Sequence, residues 1–444
     1  MPRAVYTFPR GFLWGTATAA HQVEGGNANN TWAAWEQQPG KIANGDTAGR
    51  ACEWWQGRWR EDFDRAAEAG QNAHRLSVEW SRIQPTPDRW DEDALEHYRQ
   101  MVRGLIQRGM TPIVTLHHFT DPLWLAERGG WENPETPGLF AVFVAKVVEA
   151  LRAYVTRWCT INEPNVYTAL GYVAGVFPPG KQDIRIAMKV AERLAQGHAA
   201  AYEAIHRVQP EAQVGLTVYY RPMRPARPWF LPDRVLARVE GRWFNDYFAV
   251  AAASGRRLLP VGSRRDRRLG PALDWFGLNY YTTELVAFAF RRPDFARRFP
   301  PKGAPLSEHG ELALTPEGLF AGIRWAQRFG VPILVTENGV EDSTDALRPR
   351  YLVEHIHQVW RAVNFNWRVQ GYLHWTLVDN FEWQRGWTWR YGLWALDVAT
   401  QRRIKRPSAD LYAAICRSNA LDTETVARYA PAALDALLPG VAAV

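Results

Sequence analysis

Two glutamates, Glu163 and Glu337, each close a short apolar run. Arg157-Trp158-Cys159-Thr160-Ile161-Asn162 leads into Glu163-Pro164, and Ile333-Leu334-Val335-Thr336 leads into Glu337-Asn338-Gly339. Carboxylates carried on separate strand ends suit a two-carboxylate mechanism, in which one holds a proton as an acid and the other is ionised. An arginine and a tyrosine beside one of them would keep it ionised. Similar run ends supply Arg75, His117-His118, Asn279-Tyr280-Tyr281, and Trp375 with Glu382-Trp383 beyond it. By type and spacing alone, a strand-end glutamate serves about equally well as a capped or salt-bridged structural residue.

Something must position these residues. Eight β-rich runs, at 12–16, 73–78, 112–116, 157–162, 214–219, 275–280, 332–337 and 371–377, alternate with helical patterns. The helical patterns at 59–69, 94–108, 139–154, 187–208, 316–329 and 351–366 repeat apolar residues every three to four positions. Gly70, Gly109 and Gly330 stand where helices should stop. Apolar strands alternating with helices imply a parallel sheet covered on both faces. Eight such units predict an α/β fold, a single (β/α)8 TIM barrel with long βα loops, with reactive groups at the C-terminal strand ends. An open doubly wound sheet would bring a glycine-rich phosphate turn, and no GxGxxG or GxxxxGK[ST] occurs. The barrel is expected over 1–417. An extension follows at 418–444, where Val426, Tyr429, Ala433, Leu434 and Leu437 fall at near-helical spacing.

Composition narrows the function classes. Among 444 residues the net charge is +7, but only six of the 53 cations are lysines and the arginines are dispersed among acids. The densest group, Arg264-Arg265-Asp266-Arg267-Arg268, reads as a solvated loop rather than a nucleic-acid footprint. Three scattered cysteines, Cys52, Cys159 and Cys416, make no disulfide framework. No run is long and apolar enough for a membrane span, and residues 1–14 lack a signal-peptide core, so a cytoplasmic protein is expected. The 22 tryptophans are unusual. Half are expected in the core, and the rest suit sugar binding, where flat faces stack on C–H surfaces. No feature sets an oligomeric state.

Seven motifs in one order make the chain resemble glycoside hydrolase family 1, the β-glucosidase and β-glycosidase family. They are FLWGTATAAHQVEG at 12–25, PGKI at 39–42, RLSVEWSRI at 75–83, TINEP at 160–164, GLNYY at 277–281, TENG at 336–339 and WTLVDNFEW at 375–383. The resemblance implies a retaining exo-β-glycosidase acting on small carbohydrates, with no metal or organic cofactor. It makes Glu163 similar to the general acid/base and Glu337 to the nucleophile. Gln22, His118, Asn162, Trp375, Glu382 and Trp383 resemble the sugar-binding residues, and Arg75 and Tyr281 the supports of the nucleophile. Glu382 in place of a phosphate site implies an unphosphorylated sugar. Departures fall on the leaving-group side: Asn165 and Phe119 stand where the family often has tryptophan, and Glu311 or Leu312 where an aglycone-side tryptophan is usual. Asn165 is expected to meet the aglycone through its amide.

Other readings remain at this stage. Loss of either glutamate would have favoured a non-catalytic sugar-binding barrel, and a β-galactosidase or β-fucosidase preference turns on few contacts. His117 and His118 are adjacent and point apart, so they make a poor metal pair. Cys159 is expected buried and inert, Glu24 and Glu79 are expected to pair with arginines or loop amides, and His355 and His357 are expected on the surface.

Overall fold

The computed structural model describes residues 3–259, 261–290 and 294–438. Eight parallel strands close into a barrel. They are β1 (Leu13–Ala17), β2 (Ala73–Ser77), β3 (Thr111–Thr115), β4 (Arg157–Asn162), β5 (Gln213–Tyr219), β6 (Trp275–Tyr280), β7 (Ile333–Asn338) and β8 (Val369–His374). Each pairs with the next in chain order, and β8 pairs with β1. The expected eighth run continued to 377, but the strand stops at His374: Trp375 donates its N–H to Asn338 and leaves the ladder.

The strands are buried almost throughout, as a sheet covered by helices requires. Helices α1 (Trp59–Glu68), α2 (Glu92–Gln107), α3 (Thr136–Leu151), α4 (Ile184–Val208), α5 (Tyr247–Ser254), α6 (Pro316–Gln327), α7 (Arg348–Asn364) and α8 (Pro407–Ser418) form the outer layer. Local signals start several of them. Asp91 accepts from Ala94 N at the start of α2, and Asp183 accepts from Arg185 N and Ile186 N at the start of α4. Inside the barrel space is tight: a Cβ on Gly277 would lie 2.2 Å from Thr217 Oγ1, so only glycine fits there. Trp14, Trp80, Trp158 and Trp275 are core residues, as expected for part of the tryptophan excess.

The ladder is irregular where it matters. Register shifts interrupt β4–β5 between Cys159 and Asn162, β6–β7 at Leu278/Asn279, and β7–β8 between Val335 and Asn338. Bulges bend a strand and re-aim its side chains. These three fall at the C-terminal ends, beside Glu163, Asn279 and Glu337, whereas a fourth, at Ile333/Leu334, lies at the start of β7.

The chain ends meet. Val5–Thr7 pairs antiparallel with Ala420–Asp422, and Tyr6 Oη donates to Leu437 O at 2.6 Å. Helix Thr423–Tyr429 and the turn Leu434–Leu437 bury Val426, Ala433 and Leu437. The last part of the 418–444 extension, 439–444, lies outside the described residues. Among the described residues no helix is long and apolar enough to cross a membrane. The arginine-rich segment forms part of an exposed hairpin, with Arg268 paired to Asp266 and Glu192.

Candidate active site

Glu163 follows β4 in a left-handed conformation, φ 44° and ψ 57°, and caps the short helix Pro164–Thr168. Non-glycine residues are uncommon there, at a cost of roughly 1–3 kcal/mol. Surrounding bonds hold it: its N–H donates to Thr217 O at 2.9 Å, and its carbonyl accepts from Val166 N and Tyr167 N. The side chain is thereby fixed over the barrel mouth. Its Oε1 accepts from Asn279 Nδ2 at 2.8 Å, and Asn279 Oδ1 accepts from Thr336 Oγ1 at 2.6 Å. Burial and then the charge of Glu337 push the Glu163 carboxyl up to about 8.

Glu337 has different company. Its Oε1 accepts from Arg75 Nη1 at 2.5 Å and its Oε2 from Tyr281 Oη at 2.7 Å. Arg75 is fully buried and spends its other donors on Thr115 Oγ1 at 3.0 Å and Asn162 Oδ1 at 2.6 Å. Burial raises the Glu337 carboxyl as well, but the guanidinium and the phenol oppose it. Burial and the neighbouring carboxylates hold the Tyr281 hydroxyl far above its ordinary range, so it stays a donor. A cation in contact with one carboxylate and only an amide on the other decides which ionises first: Glu337 loses its proton while Glu163 keeps one.

Five more side chains wall the same space. Trp375 Nε1 donates to Glu382 Oε1 at 3.0 Å, and Gln22 Nε2 donates to Phe381 O at 2.6 Å. The His118 ring lies 6.2 Å from Trp375 and 6.1 Å from Trp383, near-parallel to both. Asn162 Nδ2 sits 3.0 Å from His118 Nε2, which makes Nε2 the acceptor and puts the proton on Nδ1. Burial keeps this imidazole neutral. Gln22 Oε1 and His118 Nδ1 are buried with no partner. Buried polar atoms seldom stay unpaired, so two orphans on one wall mark the place of ligand hydroxyls. Trp383 is also held at positive φ, 52°.

The sequence pattern named "Glycosyl hydrolase family 1" matches residues 4–421. The chain belongs to that family. Among curated proteins it is 31% identical to β-glucosidase A of Thermotoga maritima, over 94% of this chain and 99% of that one. It is 33% identical to a β-galactosidase of Sulfolobus acidocaldarius, over 94% and 96%. Among solved structures it resembles a β-glycosidase from Pyrococcus horikoshii, with 34% identity, a TM-score of 0.88, and 96% of this chain and 98% of that one covered.

Family 1 residues read from the sequence all gather at this mouth, but several neighbours stand elsewhere than expected. Asn165 is buried on the helix after Glu163; its Nδ2 donates to Tyr219 O at 2.8 Å, and its Oδ1 is buried without a partner. Glu311 instead pairs with Arg385, whose guanidinium lies 4.7 Å over the Trp389 ring. His355 is not on the surface: α7 buries it completely, stacked 3.7 Å from the Tyr351 ring with Nδ1 on Tyr351 O. His357 is partly buried beside Trp360. Glu24 pairs with Arg82 and Glu79 takes the loop amide of Asn27, both as expected, and Ser81 and Thr120 also donate to Glu79. His117 turns away from His118 to Asp121, and Cys159 is buried.

Two contributors carried no role in the sequence reading. Asn279 bridges Glu163 to β7, and its position at the end of the sixth run was the available signal. Tyr219 packs 5.5 Å from Tyr281, with Arg221 4.6 Å above its ring and bonded to Glu284 at 2.7 Å. Nothing in the local pattern distinguished that pair from structural residues.

Proposed function

We propose that this chain is a retaining exo-β-glycosidase that removes terminal, non-reducing β-D-glucosyl residues, and galactosyl and fucosyl residues, from small glycosides and oligosaccharides. Glu337 attacks the anomeric carbon while Glu163 gives its proton to the departing glycosidic oxygen. The sugar is then esterified to Glu337. Water attacks the same carbon, Glu163 takes its proton, and the Glu337 carboxylate leaves. Protons balance over the cycle, and the scheme needs no metal or organic cofactor. Arg75 and Tyr281 keep Glu337 charged before attack and receive its charge when the ester breaks. Asn162, its Oδ1 occupied by Arg75, presents Nδ2 to the sugar 2-OH. Gln22, His118 and Glu382 take further hydroxyls, Trp375 forms the floor, and Trp383 the wall.

One observation carries this reading: the two carboxylates share a buried mouth but are not both in contact with a cation, since Arg75 contacts Glu337 and Glu163 is bonded to Asn279. That asymmetry is what a proton donor facing a nucleophile requires. The names of the two curated relatives support both gluco and galacto substrates. We assign the catalytic barrel to 1–417 and read 418–438 as a clasp over the chain ends. Three buried free thiols fit a cytoplasmic location. The test is kcat/KM on 4-nitrophenyl β-D-glucoside, β-D-galactoside and β-D-fucoside beside their α-anomers. Turnover of the β-glycosides alone is expected; turnover of α-glycosides, or of none, would overturn the reading.

A further inference from the structure

The barrel has a second mouth, where its strands begin, and it opens there into a cavity of about 320 Å³. Its lining comes from Pro9 to Leu13 at the entry to β1, from Val369 and Gln370 at the start of β8, and from Arg157, the first residue of β4. β4 lies three strands from β1 around the barrel. A cavity touching both therefore crosses the barrel axis and is not a groove between neighbours. Trp158, the next residue, points to the helix layer, where Nε1 meets Gln209 Oε1 at 2.9 Å, so alternation turns Arg157 toward the lumen.

Arg157 is unusual here. Its Nη1 is buried without a hydrogen-bond partner, and among the described residues it has no ion pair. Burial lowers its pKa, and no acidic neighbour opposes that effect. Arg157 is half-buried, and a guanidinium partly drawn from water is normally matched by a carboxylate. No Asp or Glu lines this cavity, and a second arginine, Arg10, stands at its rim. Gln370 adds an amide donor. The walls thus offer donors and positive charge, a fixed planar fork among them, with room for a molecule.

We propose that the N-terminal mouth of the barrel binds a small phosphate-type oxyanion, held by Arg157 across the lumen from β1 and β8. The site lies a barrel height, roughly 15–20 Å, from Glu163 and Glu337. Its occupant does not compete with substrate. It links β4 to the paired strands β1 and β8 on the far side of the barrel, and so stabilises the fold by mass action.

The experiment is calorimetric titration of the full-length protein with inorganic phosphate and, separately, with glycerol phosphate, against sodium chloride of equal ionic strength. The expected result is saturable one-to-one binding that chloride does not reproduce. Arg157→Met should weaken it by about 10- to 100-fold, the loss expected for charge-assisted bonds. Gln370→Glu sets a carboxylate on the cavity wall opposite Arg157 and should abolish it by repelling the anion and competing for the guanidinium. This second variant decides the matter if the first does not fold. Both should retain wild-type kcat/KM on a nitrophenyl glycoside. Tighter binding of glycerol phosphate would identify a phosphomonoester as the occupant; tighter binding of inorganic phosphate would identify the free ion. No saturable binding in wild type, equal displacement by chloride, or unchanged binding in Gln370→Glu would overturn the proposal.

Discussion

Neutralising Glu337 should release the proton that Glu163 holds. In the resting site the Glu163 carboxyl titrates near 8, raised by burial and then by the charge on Glu337. Glu337→Gln removes that charge while keeping shape and burial. Two carboxylates at a retaining separation of roughly 5 Å, in an effective dielectric of about 20, repel by roughly 3 kcal/mol. That corresponds to about two pH units, so Glu163 should titrate near or below roughly 6 in the variant. Arg75 acts in the same direction, because its bond to Glu337 Oε1 no longer faces a negative charge. The change mirrors turnover: an ester on Glu337 is as neutral as the amide, so Glu163 ionises at neutral pH when it must accept a proton from water. The assay is carbon-13 NMR of side-chain-labelled glutamate, titrated in wild type, Glu337→Gln and the double variant Glu163→Gln/Glu337→Gln, which assigns the signal. If Glu163 titrates within about half a pH unit in wild type and Glu337→Gln, like-charge repulsion does not hold its proton, and the division of roles argued here fails.

Other outcomes follow from the same contacts. On substrates with poor leaving groups, the alkaline limb of kcat/KM should fall as pH rises through about 8, because the protonated form of Glu163 is then lost, while an acid limb reports protonation of Glu337; a profile flat up to pH 10 would contradict it. Glu337→Gly should lose at least about 10³-fold in hydrolysis, and added azide should restore turnover with an α-glycosyl azide as product. Glu163→Ala should slow the first step far more for alkyl glycosides than for dinitrophenyl glycosides, which depart without a proton; equal losses would remove the acid role. Asn165→Trp should cost roughly 1–3 kcal/mol of stability by overpacking, seen as a lowered Tm, rather than improve binding of aryl aglycones. An unchanged Tm would mean that Asn165 is not enclosed as its bond to Tyr219 O implies.

The barrel was legible because its signals are repetitive: eight apolar runs, six of them followed by a helical pattern and several of those by a glycine, leave few alternatives. The two carboxylates proposed as the catalytic pair were legible for a related reason, since barrel chemistry sits at strand ends and Glu163 and Glu337 occupy two of them. What escaped depended on geometry that spacing does not carry. Asn165 follows the acid by two residues, and its bond to Tyr219 O after the left-handed turn at Glu163 is not visible in the sequence. His355 looked like a surface residue beside His357, but the face of α7 that carries it and Tyr351 packs against Tyr280 of β6. Asn279 gains its function from a bulge between β6 and β7, and a bulge is not visible in a run of apolar residues. The eighth strand ends early because Trp375 exchanges the ladder for the pocket.

Central to the account is double displacement at one carbon, and the stereochemistry of the first product tests it most directly. Proton NMR during hydrolysis of an aryl β-glucoside resolves the two anomers before mutarotation mixes them. Attack by Glu337 followed by water inverts twice, so β-glucose should appear first and α-glucose only later. Initial release of α-glucose would mean that water attacks directly, that Glu337 is a base rather than a nucleophile, and that the central claim is wrong.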